Sequence, residues 1–294
     1  MRGRGCTDEG AGQACAHSDF GRLGPGFCLA TAHCPLSTDE WPYNPRVHAR
    51  FYAPDLAGDL SPVALPEEEA RHLTRVLRLG AGDEVTVFDG HGHQWLARVE
   101  HASRGRVIVR PLRAVAPAPE PSVTVTLAQA VLKADLMDEV VRNLTMLGVA
   151  AVQPVVSERT EIGIPTLMRG RRIDRWRRVA IASAKQSGRA VVPDIRAPLG
   201  FAELVAEDRA GPRFMLVEPR AAGGSRLPAA VLGEEGKPTS ATVLVGPEGG
   251  WTPGEIAFAE RAGFGLLTLG QRTLRADAAP LVALSVLQFL WGDL

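Results

Sequence analysis

Residues 241–294 read ATVLVGPEGGWTPGEIAFAERAGFGLLTLGQRTLRADAAPLVALSVLQFLWGDL, and no other stretch restricts the fold as much. Thr242–Val245 is a short β-branched apolar run, the pattern of a buried strand. The turn Gly246-Pro247-Glu248-Gly249-Gly250 follows. Thr252-Pro253-Gly254-Glu255 then supplies a capping residue, a proline at the first helical position and a glutamate three residues after the cap. The spacing predicts a helix to about Ala262, stopped by Gly263. Gly265–Leu269 repeats the strand pattern, Gly270–Asp277 forms a second loop, and Pro280–Trp291 is an almost wholly apolar helix. Two strand–loop–helix units in tandem imply a parallel α/β sheet with both loops at the C-terminal ends of their strands, where such sheets bind ligands.

Neither loop is a standard phosphate cradle, since the first matches neither G-x-x-x-x-G-K-[ST] nor G-x-G-x-x-G. Its three glycines mean either a tight turn or a backbone that a ligand approaches closely. The second loop, Leu269-Gly270-Gln271-Arg272-Thr273-Leu274-Arg275-Ala276-Asp277, brings arginines and an acid. The acid either caps the last helix or takes part in chemistry.

GPEGG-W-T-x-x-E, then L-G-x-R-x-L-R-x-acid-x-A, then an apolar helix ending in Gly-Asp, resembles the RsmE family of 16S rRNA uridine-N3 methyltransferases. The resemblance implies an α/β fold: a C-terminal parallel-sheet SPOUT domain with a trefoil knot, preceded by a small PUA-like β-barrel. The knot rests on the resemblance alone, because general topology rules disfavour it. The cofactor implied is S-adenosyl-L-methionine, held by Leu216, Glu218, Gly246, Pro247, Glu248, Gly249, Gly250, Leu269, Gly270 and Leu274. Arg275 would stabilise the enolate oxygen of the uridine, and Asp277 would orient that arginine or take the proton. The family usually carries Glu-Thr where this chain has Asp277-Ala278, an acid one methylene shorter and a hydroxyl lost. The implied partners are 16S rRNA or the 30S subunit and a second copy in a homodimer, with no metal and no membrane.

The chain's 294 residues suit two domains. Lys+Arg and Asp+Glu both number 33, so any RNA-binding surface must be local. No apolar run is long enough to span a bilayer. Residues 1–46 hold all four cysteines (Cys6, Cys15, Cys28, Cys34) and show no helical or strand period. A zinc site with His17 and His33 would lack the usual paired C-x-x-C spacing, and no continuous apolar stretch of a signal peptide follows the early arginines. This stretch reads as a disordered extension or a translation start placed too far upstream; the resemblance begins at about Val47 or Arg50. The body beyond has no cysteine, and a cytoplasmic address fits.

Residues 47–114 read as the barrel. Strands are expected at Arg50–Ala53, Glu84–Phe88, Gln94–Glu100 and Arg106–Arg110, with turns at Asp89–Gly92 and Ser103–Gly105. His91 and His93 read as solvent-exposed turn residues. Pro66–Leu79 reads as a helix with Ala70, Leu73, Val76 and Leu77 on one side. It carries Arg71, His72, Arg75 and Arg78, either a solvated basic face or, as the resemblance favours, phosphate contacts alongside Arg50. VAPAPEPS, residues 115–122, is the linker, kept extended by proline.

Residues 123–294 form the second domain. Val123–Ala130 and Val149–Val156 read as strands around a helix at Lys133–Leu147. Lys133, Met137, Leu147-Gly148-Val149 and Ser157-Glu158-Arg159 match the family, whereas Leu136, Asn143 and Met146 depart from its usual charges. In RGRRIDRWRR (169–178) and the two residues after it, Ile173, Trp176, Val179 and Ala180 share one helical face, leaving the arginines to water or to RNA. Ala184-Lys185-Gln186-Ser187-Gly188-Arg189 resembles a family motif with glutamate in place of Lys185; Gln186 and Arg189 either meet RNA or cap the helix. Arg213–Glu218 is a further buried strand. Lys133, Gln186, Arg189 and Arg272 complete the RNA contacts the resemblance implies. Two other readings stand beside methylation of 16S rRNA: a ribosome-binding assembly protein without turnover, and a SPOUT methyltransferase with another RNA target.

Overall fold

The computed structural model describes residues 49–103, 105–221 and 236–293. The readings of residues 1–46, of Arg104 in its turn and of most of the Gly223–Ser240 connection lie outside the described residues. Val47–Leu294 forms one compact unit built on two sheets.

The first sheet is β1 (Arg50–Tyr52), β2 (Val63–Ala64), β3 (Glu84–Phe88), β4 (Gln94–Ser103) and β5 (Arg106–Ala114), in the order β1-β3-β4-β5-β2. β1 runs parallel to β3 and the other pairs are antiparallel. Register shifts at Leu96/Ala97 and Val99/His101 bend the long β4–β5 hairpin. Alternation along it turns Trp95, Ala97, Val99, Val107 and Val109 inward, with Phe51, Val85 and Val87, as its own core.

The helix expected over 66–79 is shorter and changes pitch. α1 (Glu67–Arg71) passes into a π turn over His72–Val76, closed by the Leu77 amide on the His72 carbonyl. The wider turn rotates the residues at its far end, so Ala70 and Leu73 are buried while Val76 is 66% exposed and Leu77 also faces water. Inward packing of Val76 and Leu77 is thus corrected. Arg78 then leaves the helix at φ +55°.

The second sheet has seven parallel strands: β6 (Thr124–Ala130), β7 (Ala151–Val156), β8 (Asp194–Ile195), β9 (Leu199–Gly200), β10 (Arg213–Leu216), β11 (Ser240–Val245) and β12 (Gly265–Leu267). The order is β12-β10-β11-β6-β7-β8, with β9 also on β7. The two tandem units are parallel as expected, but β10 lies between β11 and β12. Period-two alternation splits the side chains: Val125, Leu127 and Val243 face α2 (Leu136–Met146), α4 (Arg172–Ser187) and α7 (Ala279–Leu290). Ala128, Met215 and Leu244 face α5 (Phe201–Ala206) and α6 (Pro253–Arg261). A short α3 (Ile164–Arg169) precedes α4. Thr252 caps α6 reciprocally with Glu255, and Gly263 ends it at φ +88°.

Several residues join the two sheets. Lys185 Nζ meets Glu69 Oε1 and Oε2 at 3.0 and 2.7 Å, with side chains only 15% and 11% exposed. Arg50 donates to the Gly188 and Arg189 carbonyls at 2.7 and 2.9 Å and stacks over Phe88. The Asp89–Gly92 turn docks on the second sheet's unit, with Val192 N on Gly90 O and Gly92 N on Ala190 O. Gly90 must be glycine there: at φ +85° a Cβ would lie 2.8 Å from the Tyr52 ring. His91 and His93 are exposed as expected. Burial pushes the Asp89 carboxyl up, but the His91 and His93 amides and the His93 ring outweigh it and hold it below the usual carboxylate range.

The proline-rich 115–122 segment is fastened at its ends. Val115 N and Ala116 O bond to Gln94, and Glu120 pairs with Arg189. Ser122 donates to Asp293.

Candidate functional site

The glycine loop lies at the C-terminal end of β11 and faces the loop after β12 across a cavity of about 460 Å³. Gly246, Pro247, Glu248 and Gly250 line one side; Leu269, Arg272, Leu274, Arg275 and Asp277 line the other. Leu216 and Glu218, at the end of β10, border the same space. Gly249 and Gly270 are not among its lining residues. A larger cavity of about 580 Å³ opens among Thr124, Thr126, Gln153 and Ser240. It lies at the N-terminal ends of the strands, away from where parallel sheets bind ligands.

The glycine loop is held from several directions. Gln129 Nε2 donates to Gly246 O at 3.2 Å, and the Lys133 amide donates to Glu248 Oε1 at 2.8 Å. Arg159 Nη1 donates to Gly249 O at 2.6 Å. The Trp251 indole donates to Leu216 O at 2.9 Å. A Cβ on Gly246 would lie 3.1 Å from that indole and crowd it, and Gly250 sits at φ +68°, a backbone conformation that favours glycine. The tight-turn reading thus holds at Gly250, and the group close to the Gly246 backbone is the protein's own Trp251 indole.

In the opposite loop Arg275 and Asp277 form a bidentate pair: Nε to Oδ1 at 3.0 Å and Nη2 to Oδ2 at 3.2 Å. The Arg275 side chain is 76% exposed, the Asp277 side chain 22%. Asp277 does not cap the last helix; Ala278 is the N-cap residue and no side chain caps it. The capping alternative gives way because the Asp277 carboxylate is already taken up by Arg275.

The RNA-contact candidates scatter. Arg75, Arg78 and Gln186 are exposed; Arg71 is exposed but pairs with Glu67 at 2.7 Å. His72 stacks edge-on against Phe51 and lies 3.4 Å from Lys185 Nζ. Lys133 precedes α2 rather than lying in it, and pairs with Glu161 at 2.6 Å. That hydrogen bond, helped by the charge of Glu161, raises the Lys133 pKa. Arg272 is exposed at the cavity. Two candidates are corrected. Arg189 is 4% exposed and donates to Glu120 and to the carbonyls of Thr145 and Val149. Arg50 is spent on the Gly188 and Arg189 carbonyls. Both guanidiniums fasten the molecule internally, because carbonyls at a helix end need donors once water is excluded.

Sequence reading did not assign Arg159 or Trp251 to the site, although both line it. Arg159 stood in a family-like motif, but its partners are 90 residues away. Among the described residues no cluster of three or more His, Cys, Asp or Glu could hold a metal ion, and no helix is long and apolar enough to cross a membrane.

Two family models match. An RNA methyltransferase domain matches residues 119–288, and an RNA methyltransferase PUA domain matches residues 65–112. The fold and cavity thus define a two-module RNA methyltransferase. Among curated proteins, ribosomal RNA small subunit methyltransferase E of Synechocystis is 36% identical, over 78% of this chain and 73% of that protein. The Mycobacterium bovis enzyme of that name is 30% identical, over 82% of this chain and 91% of its own length. Among solved structures, a ribosomal RNA small subunit methyltransferase E from Neisseria gonorrhoeae bound to S-adenosyl methionine is 33% identical. It superposes with a TM-score of 0.72 over 83% of this chain and 98% of that one. A Legionella pneumophila methyltransferase in complex with SAM gives 0.74 at 29% identity, over 82% of this chain and 97% of its own. The chain belongs to the ribosomal RNA small subunit methyltransferase E family.

Proposed function

We propose that this protein transfers the methyl group of S-adenosyl-L-methionine to N3 of a uridine in 16S rRNA, with the chemistry at Arg275 and Asp277. Family membership supplies the coarser activity, S-adenosylmethionine-dependent methylation of rRNA. The finer reading is carried by one observation: the Arg275–Asp277 pair stands at a cavity whose opposite wall is the tied glycine loop.

The residues fit the cofactor. A cavity of about 460 Å³ is within the range of small-molecule sites. Its apolar wall of Leu216, Val245, Leu269 and Leu274 suits a nucleoside, and the glycine loop leaves backbone groups accessible. When bound, S-adenosylmethionine supplies an electrophilic methyl group on a sulfonium.

Uridine N3–H is roughly as weak an acid as a tyrosine phenol, and N3 attacks only after that proton leaves. N3 is also the Watson–Crick donor, so the base must be unpaired to be reached. The exposed Arg275 guanidinium would stabilise the negative charge that develops on the carbonyl oxygens as the proton departs. Asp277, with both oxygens on Arg275, orients that guanidinium. The proton then passes to Asp277 or to water.

Exposed Arg75 and Arg78 on the first module, with Gln186 and Arg272 on the second, are the positions proposed for RNA contact. Arg71, His72 and Lys133 would first exchange the internal partners they hold. A homodimer is supported by the outer face of α7, where Val282, Val286, Phe289 and Leu290 remain exposed. The knot, the domain limits 47–114 and 123–294, the 30S subunit as partner and a cytoplasmic address complete the reading.

The test is radiolabelled methyl transfer to 30S subunits and to naked 16S rRNA, with the labelled nucleoside identified. Label in 3-methyluridine is expected. Label in another nucleoside, or S-adenosylmethionine binding without transfer, would refute the reaction assigned.

A further inference from the structure

Arg159 lies in the turn after β7, and it is fixed there locally. Ser157 N donates to Thr160 Oγ1 at 3.1 Å, and the two hydroxyls meet at 2.9 Å. From this turn Arg159 Nη1 reaches two carbonyls of the glycine loop, Gly249 O at 2.6 Å and Trp251 O at 3.3 Å. They flank Gly250, the residue at φ +68°. The aliphatic stem is used as well: a Cβ on Gly249 would lie 3.3 Å from Arg159 Cδ and 3.4 Å from its Cβ. The same turn makes a second tie, from the Glu158 amide to Glu255 Oε1 at 3.0 Å. Glu255 Oε2 receives the Thr252 amide at 2.9 Å, so one carboxylate joins this turn to the start of α6.

A glycine-rich loop has many conformations available, and ordering it on binding opposes affinity. A charged donor shared by two carbonyls restrains the loop before any ligand arrives. We propose that Arg159 is a positioning residue: it holds the Gly249 and Trp251 carbonyls and so presets the glycine loop for the cofactor, without acting on the reacting atoms. This rests on the reading of the cavity as the S-adenosylmethionine site.

The experiment is calorimetric S-adenosylmethionine binding and steady-state methyl transfer with wild type, Arg159→Ala, Arg159→Lys and Gly249→Ala. Thermal midpoints serve as the folding control. Arg159→Ala should raise both Kd and KM for S-adenosylmethionine about tenfold or more, with kcat at saturating cofactor within about threefold of wild type. Arg159→Lys, which keeps one charged donor, should recover part of the affinity. Gly249→Ala pushes on the arginine stem without removing it and should fall between them. If Arg159→Ala fails to fold, the Lys and Gly249 variants carry the comparison. Unchanged Kd in these variants, or a fall in kcat at unchanged KM, overturns the inference. A wild-type protein that binds no S-adenosylmethionine overturns the reading of the cavity, and this inference with it.

Discussion

The two loops that face each other across the cavity are held in opposite ways. Residues 246–251 are bonded by Gln129, the Lys133 amide, Arg159 and the Leu216 carbonyl, drawn from three other segments of the chain. Residues 270–277 are held, among the described contacts, by the local Arg275–Asp277 pair and by the Ala278 and Ala279 amides on the Arg275 carbonyl. The first loop offers backbone and almost no reactive side chain; the second offers Arg272 and Arg275 to solvent. The difference indicates a division of labour. A preset backbone surface binds a small ligand with little ordering cost. Arg272 is exposed, and Arg275 is held only by its near neighbour Asp277; under the function proposed above, an RNA base is the further partner both would meet.

The sharpest way to break this comparison is Arg275→Ala. Methyl transfer should fall by about 10³-fold or more, while S-adenosylmethionine Kd stays within about tenfold. Near wild-type rates would end the role of Arg275. Gly246→Ala attacks the other loop. Its Cβ would lie 3.1 Å from the Trp251 indole, and overpacking of this kind costs about 1–3 kcal/mol. Cofactor Kd should rise about tenfold with kcat little changed; the reverse pattern would undo the division of labour.

A third variant asks whether the joint between modules is separate from the cavity. Glu69→Gln leaves the Lys185 ammonium, 15% exposed, without its counter-charge. Breaking a buried pair from one side costs about 3–5 kcal/mol, so the thermal midpoint should drop by several degrees. Cofactor Kd at low temperature should not move, and Lys185→Met in the Glu69→Gln background should regain much of the loss. The smallest effect concerns Asp89. Its folded pKa is depressed, so its contribution is fully present above the unfolded carboxylate value and is lost as pH falls through the folded one. Denaturant midpoints of wild type and Asp89→Asn should therefore differ at neutral pH and converge below about pH 4. A constant gap down to acid pH would contradict this.

The parts legible in the sequence are the locally coded ones. The Thr252–Glu255 capping box and Gly263 bound α6 because every interaction involved lies within one helical turn. Alternation and β-branching marked β11 and four strands of the first module, β1, β3, β4 and β5, but not the two-residue β2 at Val63–Ala64, which is too short to show a period. Strand order was not legible: nothing local says that β10 inserts between β11 and β12. The π turn at His72–Val76 was hidden for a related reason, since an apolar period read at 3.6 residues carries no sign of an added residue. Arg50 and Arg189 illustrate the limit for the site. As sequence they are two cations in motifs, and only the fold brings Arg50 to carbonyls 138 and 139 residues away. Arg159 is the converse, an arginine whose use appears only when residue 249 arrives beside it.

Hydrogen exchange with and without S-adenosylmethionine tests the division between the loops most directly. Amides of 266–278 should gain strong protection on binding. Those of 246–251, in a loop whose carbonyls are already held and whose Gly250 amide already bonds Pro247 O, should gain less, and β1–β5 should be unchanged. Protection concentrated instead around Thr124, Thr126 and Ser240, beside the 580 Å³ cavity, would contradict it.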